Sequence, residues 1–268
     1  MNNITCFTDE ISRDFETAAD VLGEKQIREF DLRNMRTGRV PYISLEEEKE
    51  VEKLLSCYDY KINTISPAVG KLNIVEPELK FKTIKHLYDS IVFAKRHGIK
   101  NIIVFSFRKK NKYDLNETMP LYGWDILEEI VELGIKYDIN IMFENHSSCF
   151  ISTIDSILDF KQMERFHNNV YLNWDPNNSY QVSRKKYAGE YKEICDIVKN
   201  IHVKDTIYKG DTEIRVPLGK GEVGWEQIFA DLIKGEYRGK YTIETHYKPY
   251  IFNALSDIER LEGYLSQK

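Results

Sequence analysis

The sequence predicts an α/β fold, a single (β/α)8 barrel of the TIM-barrel type, from three observations. Short β-branched or aromatic runs recur eight times, and charged segments with helical spacing separate them. This alternation implies parallel pairing, because parallel strands need long crossover connections. The 268 residues also give about 33 residues per strand-helix unit, and the total is close to the roughly 250 residues of a typical closed barrel.

The predicted strands are rich in the β-branched and aromatic residues that suit a pleated, buried surface. In chain order they are ITCF at 4–7, IREFDL at 27–32, KINTI at 61–65, NIIVFSF at 101–107, NIMFE at 140–144, VYLNW at 170–174, NIHVK at 200–204 and KYTIE at 240–244. Each is short enough to be one strand of a barrel.

The clearest predicted helices are charged segments whose apolar residues recur at helical spacing. They are LEEEKEVEKLLSCY at 45–58, FKTIKHLYDSIVFAKRHG at 81–98, LYGWDILEEIVELGIKYD at 121–138 and WEQIFADLIKG at 225–235. Several end in glycine or basic residues, which is typical of a helix C-terminus.

An open doubly wound sheet is the alternative to a barrel. Such a sheet normally carries a glycine-rich phosphate loop after its first strand. Here the first strand and its continuation, ITCFTDEISRD at 4–14, contain no glycine. No linker or low-complexity stretch divides the chain, so we expect one barrel domain over residues 1–268.

Composition excludes several classes of protein. Hydrophobic residues make up 42% and charged residues 30%, the profile of an ordinary globule with a sizeable core. Lys and Arg number 38 against 43 Asp and Glu, so the formal net charge is -5, and no basic arm is present. Nucleic acid is therefore not an expected partner.

The cysteines and the apolar runs indicate a cytoplasmic protein. Cys6, Cys57, Cys149 and Cys195 are widely scattered and form no CxxC pair, so neither disulfides nor a structural zinc site are expected. The N-terminal segment reaches an acid at Asp9, too early for a signal peptide. No apolar run approaches the roughly 18 residues that suggest a membrane span, so we expect no membrane partner.

Polar side chains share the inward face of the fifth to eighth predicted strands. Successive side chains on a strand point to opposite faces, and in these strands apolar residues alternate with polar ones. The polar residues at the C-terminal ends are Glu144, Asp175, His202 and Glu244. In a barrel these ends surround one mouth, so we expect the four side chains to converge there.

Three carboxylates that converge would repel one another and raise one another's pKa values unless a cation neutralises them. A divalent metal is the simplest solution. Three carboxylate oxygens and one imidazole suit Mn²⁺, Mg²⁺ or Co²⁺, and Zn²⁺ also binds both kinds of ligand. The sequence therefore predicts one divalent metal ion without choosing among these four.

Each residue alone also has a structural interpretation. Asp175 precedes Pro176 and is a candidate helix N-cap, and a single inward histidine such as His202 is usually a satisfied core residue. Lys204 has the parity of His202 and fits either a substrate contact or a pairing with an acid across the mouth. The shared parity of the three acids and the imidazole on successive strands favours the metal site.

Five motifs carry a resemblance to a known family. They are FENH at 143–146, WDPNNSY at 174–180, HVKD at 202–205, PLGKGEVGW at 217–225 and IET at 243–245. Together they resemble the sugar phosphate isomerase/epimerase family, which has the xylose-isomerase-like barrel. TDEIS at 8–12 and KRHGIKNI at 95–102 extend the resemblance over nearly the whole chain.

The resemblance implies roles for specific residues. Glu144, Asp175, His202 and Glu244 would be the metal ligands, and Glu144 and Glu244 would also be the catalytic acid/base pair. The resemblance further implies that His146, Lys204 and Arg215 contact the substrate or support its contacts. Arg215 falls in a segment that we expect to be a long loop over the mouth; its guanidinium suits a carboxylate or phosphate.

Proton transfer next to a carbonyl is the chemistry that these residues suit. A metal that binds the carbonyl and an adjacent hydroxyl stabilises an enediolate, and two carboxylates can remove and return the proton. The expected substrate is a small carbohydrate: a sugar, a ketose, a polyol-derived ketone or a sugar phosphate. Epimerase, isomerase and inosose-dehydratase-like lyase all remain open, because each uses the same two glutamates.

Two other classes compete with this interpretation. An apurinic-site endonuclease would need more strand-end histidines and a basic face, whereas this chain has six histidines and is acidic. A non-catalytic sugar-binding barrel would be expected to lose one of the two glutamates, and both are present. A homo-oligomer formed through the outer helices is possible by family analogy.

Overall fold

Eight of the strands in the structure follow the β-branched and aromatic runs of the sequence. The structure, a computed structural model, describes residues 3–111, 114, 116–166 and 170–266. Its strands are β1 (Ile4–Cys6), β2 (Glu29–Leu32), β3 (Lys61–Val69), β4 (Asn101–Val104), β5 (Asn140–Glu144), β6 (Tyr171–Trp174), β7 (Val198–Val203), β8 (Asp205–Lys209), β9 (Thr212–Val216) and β10 (Lys240–Ile243). The predicted strands are thus confirmed, with ends that shift by a few residues.

The strands form a nearly closed parallel barrel. The hydrogen-bonded order is β1-β10-β7-β6-β5-β4-β3-β2, and each neighbouring pair is parallel. A parallel bridge between Phe7 and Asp31 brings β1 beside β2 and joins the two edges. The C-terminal ends of all eight strands therefore open onto one mouth, and the predicted (β/α)8 barrel is confirmed.

Helices cover the outside of the barrel. They are α1 (Phe15–Glu24), α2 (Leu45–Tyr58), α3 (Leu79–Arg96), α4 (Leu121–Tyr137), α5 (Ile154–Gln162), α6 (Pro176–Ser183), α7 (Tyr191–Ile194), α8 (Trp225–Lys234) and α9 (Tyr250–Leu265). Side-chain caps fix several starts: Asp14 accepts a hydrogen bond from the amide of Thr17, and Ser44 accepts one from Glu47. The predicted helix 45–58 is confirmed in full.

The segment after β7 differs from the prediction. We expected a long loop, but β8 and β9 form an antiparallel hairpin in which Arg215 lies opposite Thr206. The run DTIYK and the run TEIRV both carry the β-branched residues that favour strands, and Gly210 takes a positive φ of 59° in the turn between them. The hairpin therefore fixes Arg215 on a strand.

The main core lies between the barrel and its helices, and the barrel interior is partly polar. A small apolar cluster inside contains Phe7, Ile103, Phe105, Met142 and Cys149. The remaining interior is a hydrogen-bonded network around the buried carboxylate of Asp31. It comprises Thr5, Asp31, Asn63, Thr64, Asn173, Asn200 and Thr242.

Candidate metal centre and active site

Four buried ligand-type side chains converge at the mouth. One ligand atom from each of Glu144, Asp175, His202 and Glu244 lies within 4.8 Å of the others. Glu144 ends β5, Asp175 and Glu244 directly follow β6 and β10, and His202 lies in β7. All four residues are at most 5% exposed. The convergence predicted from the parity of the strands is confirmed.

The donor atoms of this cluster fit a divalent cation. Nδ1 of His202 lies 3.2 Å from Oε2 of Glu244, 3.6 Å from Oε2 of Glu144 and 4.0 Å from Oδ2 of Asp175. Among the described residues, both ring nitrogens of His202 are buried and form no hydrogen bond of regular geometry. Buried polar atoms normally have a partner, and three carboxylate oxygens with one imidazole are a suitable ligand set for a divalent metal.

Asp175 is the predicted helix N-cap, and its side chain also lies in the cluster. Its Oδ1 accepts a hydrogen bond of 2.9 Å from the amide of Asn178 and caps α6, with Pro176 at the first helical position. Its Oδ2 faces His202 and Lys204 in the cluster. The cap therefore fixes the orientation of the carboxylate that faces the site.

Lys204 lies inside the cluster. Its Nζ is 2.6 Å from Oδ2 of Asp175 and 2.6 Å from Oε2 of Glu244. Burial favours the neutral amine, but these two carboxylates outweigh it and hold the pKa of Lys204 well above its usual value. The pairing with acids across the mouth is thus observed.

The backbone around Lys204 is anchored by the motif that follows it. The indole Nε1 of Trp225 donates to the carbonyl of Lys204 at 2.9 Å. Asp205 accepts from the amides of Gly219 and Gly221 at 2.9 Å each. A Cβ on Gly221 would lie 2.0 Å from Oδ1 of Asp205, so this close approach requires glycine.

The surroundings of Glu144 and Glu244 shift the pKa values of the two carboxyl groups in opposite directions. Burial, reinforced by the charge of Glu244, raises the pKa of Glu144. Burial would also raise the pKa of Glu244, but Lys204, His246 and His202 together hold it well below its usual range. Two carboxyl groups whose surroundings separate their pKa values are a common acid/base arrangement. Asn178 Nδ2 donates to Oε1 of Glu144 at 3.2 Å and orients it.

Arg33 is a site residue that the sequence analysis missed. Its Nη1 lies 2.5 Å from Oε1 of Glu244, its Nη2 lies 2.9 Å from Oε1 of Glu10, and its Nε lies 3.1 Å from Oδ2 of Asp9. The guanidinium also lies over the ring of Phe7, 4.4 Å from its centroid. Arg33 directly follows β2, so the strand-end rule applied to the other strands would have found it.

His246 completes the surroundings of Glu244. Its Nε2 lies 3.0 Å from Oε1 of Glu244, and its Nδ1 lies 2.9 Å from Oε1 of Glu10. Burial would lower the pKa of His246, but these two carboxylates raise it. The residue has a positive φ of 61°, an uncommon conformation for a non-glycine residue.

His146 and Arg215 lie near the cluster in different ways. His146 packs edge-on against Phe105, and burial together with Lys71 holds its pKa well below its usual value, so its ring is neutral. Arg215 pairs with Glu213 of its own hairpin at 3.0 Å, and its buried Nη1 has no hydrogen-bond partner among the described residues. The charge of Arg215 also acts on Lys204.

Sequence comparison decides the family. The family model described as xylose isomerase-like TIM barrel matches residues 26–264. The chain belongs to this xylose isomerase-like TIM barrel family. A curated relative, the inosose dehydratase of Clostridium perfringens (strain 13 / Type A), is 25% identical over 181 residues. That match covers 59% of this chain and 57% of the relative, so the similarity spans little more than half of that enzyme.

Solved structures of the family show the same fold. The probable 3-DHS dehydratase AsbF from Bacillus anthracis has a TM-score of 0.81 at 16% identity and covers 97% of this chain and 98% of its own. The IOLI protein with a bound zinc atom has a TM-score of 0.79 at 13% identity, with 99% and 98% covered. The D-allulose 3-epimerase from Methylomonas sp. in complex with D-allulose has a TM-score of 0.76 at 14% identity, with 98% and 96% covered.

At 13–16% identity, the solved structures establish the fold of this chain and not its reaction. The named enzymes include dehydratases and an epimerase. Among the residues that the structure describes, no helix combines the length and the apolar character needed to cross a bilayer.

Proposed function

We propose that this protein is a divalent-metal-dependent isomerase or epimerase of a small sugar, ketose, polyol-derived ketone or sugar phosphate. The observation that carries the proposal is the pair Glu144 and Glu244, which share one buried cluster but have pKa values displaced in opposite directions. Glu144, Asp175, His202 and Glu244 would hold the metal. The bound metal supplies charge stabilisation to the oxygens of an enediolate.

Glu244 would be the base. Lys204, His246 and Arg33 keep its carboxylate ionised and fix both of its oxygens, so the carboxylate is ready to accept a proton from the carbon next to the substrate carbonyl. The positive charges around it also stabilise the negative charge that develops on the substrate as the proton leaves.

Glu144 would be the acid. Burial raises its pKa, so it holds a proton more readily than Glu244 and can deliver it to the substrate. Return of a proton to the opposite face of the same carbon inverts that centre and gives an epimer. Return to the neighbouring carbon gives an isomer.

Three further residues would contact the substrate. Lys204 can donate to a substrate oxygen at the reacting end, since its ammonium already lies between two of the cluster acids. The neutral ring of His146 can donate or accept one hydrogen bond to a hydroxyl. Arg215 can offer Nη1 from the hairpin, since no described residue forms a hydrogen bond with this atom.

A lyase is the second candidate. Loss of water from the same enediolate would make the protein a dehydratase, and this candidate is favoured by the similarity to the inosose dehydratase and to the probable 3-DHS dehydratase. A barrel that only binds sugar is the candidate of a different class, and the retained pair of glutamates argues against it.

The test is proton exchange in deuterated water. The protein, loaded with Mn²⁺, is incubated with a panel of ketoses, inososes and hydroxypyruvate, and products are identified by NMR and mass spectrometry. A product that has deuterium next to the carbonyl and has lost no atoms of the substrate supports an isomerase or epimerase. A product that has lost one water, about 18 Da, supports the lyase. Glu144→Gln and Glu244→Gln should each abolish exchange.

Glu259→Gln is a matched control for these two variants. Glu259 lies on α9 with a side chain that is 62% exposed, and it pairs with Lys25. This variant should exchange at the wild-type rate. Exchange that survives in Glu244→Gln at the wild-type rate would reject the two-glutamate mechanism.

A further inference from the structure

Two cations at the mouth lack an acidic partner among the residues that the structure describes. Arg33 and Lys204 each pair with two or more carboxylates. By contrast, Lys71, two residues after β3, and Arg39, between β2 and α2, form no ion pair with any residue that the structure describes. Both side chains are only partly exposed. Positive groups that are partly desolvated and unpaired carry an electrostatic cost that a bound anion offsets.

Both side chains are held against the C-terminal part of β3 and β4. Nε of Arg39 donates to the carbonyl of Ser66 at 2.8 Å, and its Nη2 donates to the hydroxyl of Ser66 at 3.2 Å. Nζ of Lys71 lies 4.4 Å from the centroid of the Phe105 ring. That ring in turn packs edge-on against His146 at 5.6 Å. Arg39 and Lys71 therefore have fixed positions on one side of the mouth.

The backbone before Lys71 is held in an unfavourable conformation. Ala68 and Gly70 have positive φ values of 74° and 75°. A Cβ on Gly70 would lie 2.0 Å from the carbonyl oxygen of Phe105, and Phe107 donates its amide to Gly70 at 3.0 Å. A non-glycine residue such as Ala68 is strained at positive φ, and such residues are concentrated at functional sites. The segment is therefore built to present Lys71 in one place.

The two cations lie within electrostatic reach of the reacting glutamates and of each other. The charges of Glu144 and Glu244 act on both Lys71 and Arg39, while Arg39 repels Lys71. Burial lowers the pKa of Lys71, which is the opposite of what an acidic partner would do. Lys71 and Arg39 thus lie near the proposed acid/base pair, but the two glutamates form no ion pair with them.

We propose that Lys71 and Arg39 form an anion subsite beside Glu144 and Glu244, and that the substrate carries a carboxylate or phosphate group there. This inference rests on the proposed function, because it places the reacting carbons of the same molecule between the two glutamates. The subsite would favour sugar phosphates and keto-sugar acids over neutral ketoses as substrates. The planar guanidinium and the ammonium can bind two oxygens of one anionic group.

Direct binding tests the subsite without turnover. Inorganic phosphate and acetate are titrated separately into chelator-treated protein, so that neither anion can bind through a metal, and binding is followed by calorimetry and ³¹P NMR. Lys71→Met retains the aliphatic stem over Phe105 and should weaken phosphate or acetate binding at least tenfold. Arg39→Gln should do the same.

Lys80→Met is the matched control. Lys80 is a surface lysine on α3, with a side chain that is 66% exposed and pairs with Glu129. Its variant should bind both anions like the wild type. Equal affinity in Lys71→Met, Arg39→Gln and the wild type, or no anion binding by the wild type, would overturn the subsite.

Turnover distinguishes the two sources of the anion. Deuterium exchange is measured on the Mn²⁺-loaded protein with a ketose, its terminal phosphate and its terminal carboxylic acid. The anionic compound that is used most efficiently identifies the group, and Lys71→Met should raise the KM for that compound at least tenfold while it changes kcat little. Equal use of all three compounds with no effect of Lys71→Met rejects the subsite and leaves the proposed function intact. No exchange with any compound rejects the proposed function, and the anion titration still decides the subsite.

Discussion

Arg33 holds one oxygen of Glu244 and leaves the other to face the rest of the buried cluster. Nη1 of Arg33 lies 2.5 Å from Oε1, whereas Oε2 of the same carboxylate faces Lys204 and His202. Both Arg33 and Glu244 are almost fully buried, so this contact is weakly screened by solvent. Arg33 is therefore a positioning residue for the proposed base.

We expect Arg33→Lys to lower kcat about tenfold or more while metal content stays near the wild-type level. A lysine keeps the charge but loses the fork that joins Asp9, Glu10 and Glu244, so Glu244 loses its fixed orientation. The measurements are the exchange rate with the best substrate and the metal content by elemental analysis. Arg36→Lys, at an arginine that is 48% exposed, is the control. A parallel loss of metal and activity in Arg33→Lys would contradict a positioning role.

His202→Ala should reduce the metal content of the purified protein from about one ion per chain to near zero. The imidazole is the only nitrogen ligand proposed, and its loss leaves an incomplete set of three carboxylates, two of which already pair with Lys204. Elemental analysis after dialysis against Mn²⁺ checks this outcome. His86→Ala is the control, because His86 stacks on Tyr42 away from the cluster. Full metal content in His202→Ala would remove the imidazole from the ligand set.

The alternation of short runs and charged segments was sufficient to predict the barrel and the four clustered side chains. Strand parity is a local property, and a barrel brings all strand ends to one mouth, so Glu144 and Glu244 could be placed together from the sequence. The contacts of Arg33 with Asp9 and Glu10 could not be placed in this way. They depend on the closure of β1 against β2, and two acids after a short strand look like the first turn of a helix.

The hairpin was missed for a different reason. Its two strands are five residues each, and they pair with each other instead of joining the barrel. Short strands of mixed polarity do not show the continuous apolar run of a buried barrel strand. Pairing of Lys204 with an acid across the mouth was one of two interpretations of the sequence, and the structure shows this pairing with two acids, Asp175 and Glu244.

We expect Lys204→Met to destabilise chelator-treated protein by about 3 kcal/mol. The change leaves Asp175 and Glu244 buried without the ammonium that lies 2.6 Å from each. Added Mn²⁺ should restore much of the stability, because a cation again neutralises the acids, and the variant should bind the metal more tightly than the wild type. Urea unfolding with and without Mn²⁺ measures both effects.

Lys100→Met is the matched control for Lys204→Met. Lys100 forms an exposed pair with Asp138, and such surface pairs contribute about 0–1 kcal/mol. Its variant should unfold like the wild type with and without Mn²⁺. A Lys204→Met protein that is equally stable in both conditions would show that the ammonium does not compensate the cluster charge.

Asp257 should make the protein less stable as the pH rises from about 4 to about 6. This carboxyl group is 1% exposed, and burial raises its pKa to about 6 although the amide of Leu218 and the hydroxyl of Thr245 donate to it. The folded state therefore binds more protons than the unfolded state in this range, and the free energy of unfolding falls with pH. The difference between a pKa of about 6 and the usual value of 3.8 corresponds to about 3 kcal/mol at most.

Asp257→Asn tests this origin of the pH dependence. The amide keeps an acceptor for Leu218 and offers a donor to Thr245, but it cannot ionise. The free energy of unfolding is measured by urea titration from pH 4 to pH 8. The difference between Asp257→Asn and the wild type should increase in favour of the variant up to about pH 7 and then stay constant. Asp211→Asn, at an exposed position in the hairpin turn, should follow the wild-type curve. A constant difference between Asp257→Asn and the wild type across the range would mean that Asp257 does not change its protonation state on folding.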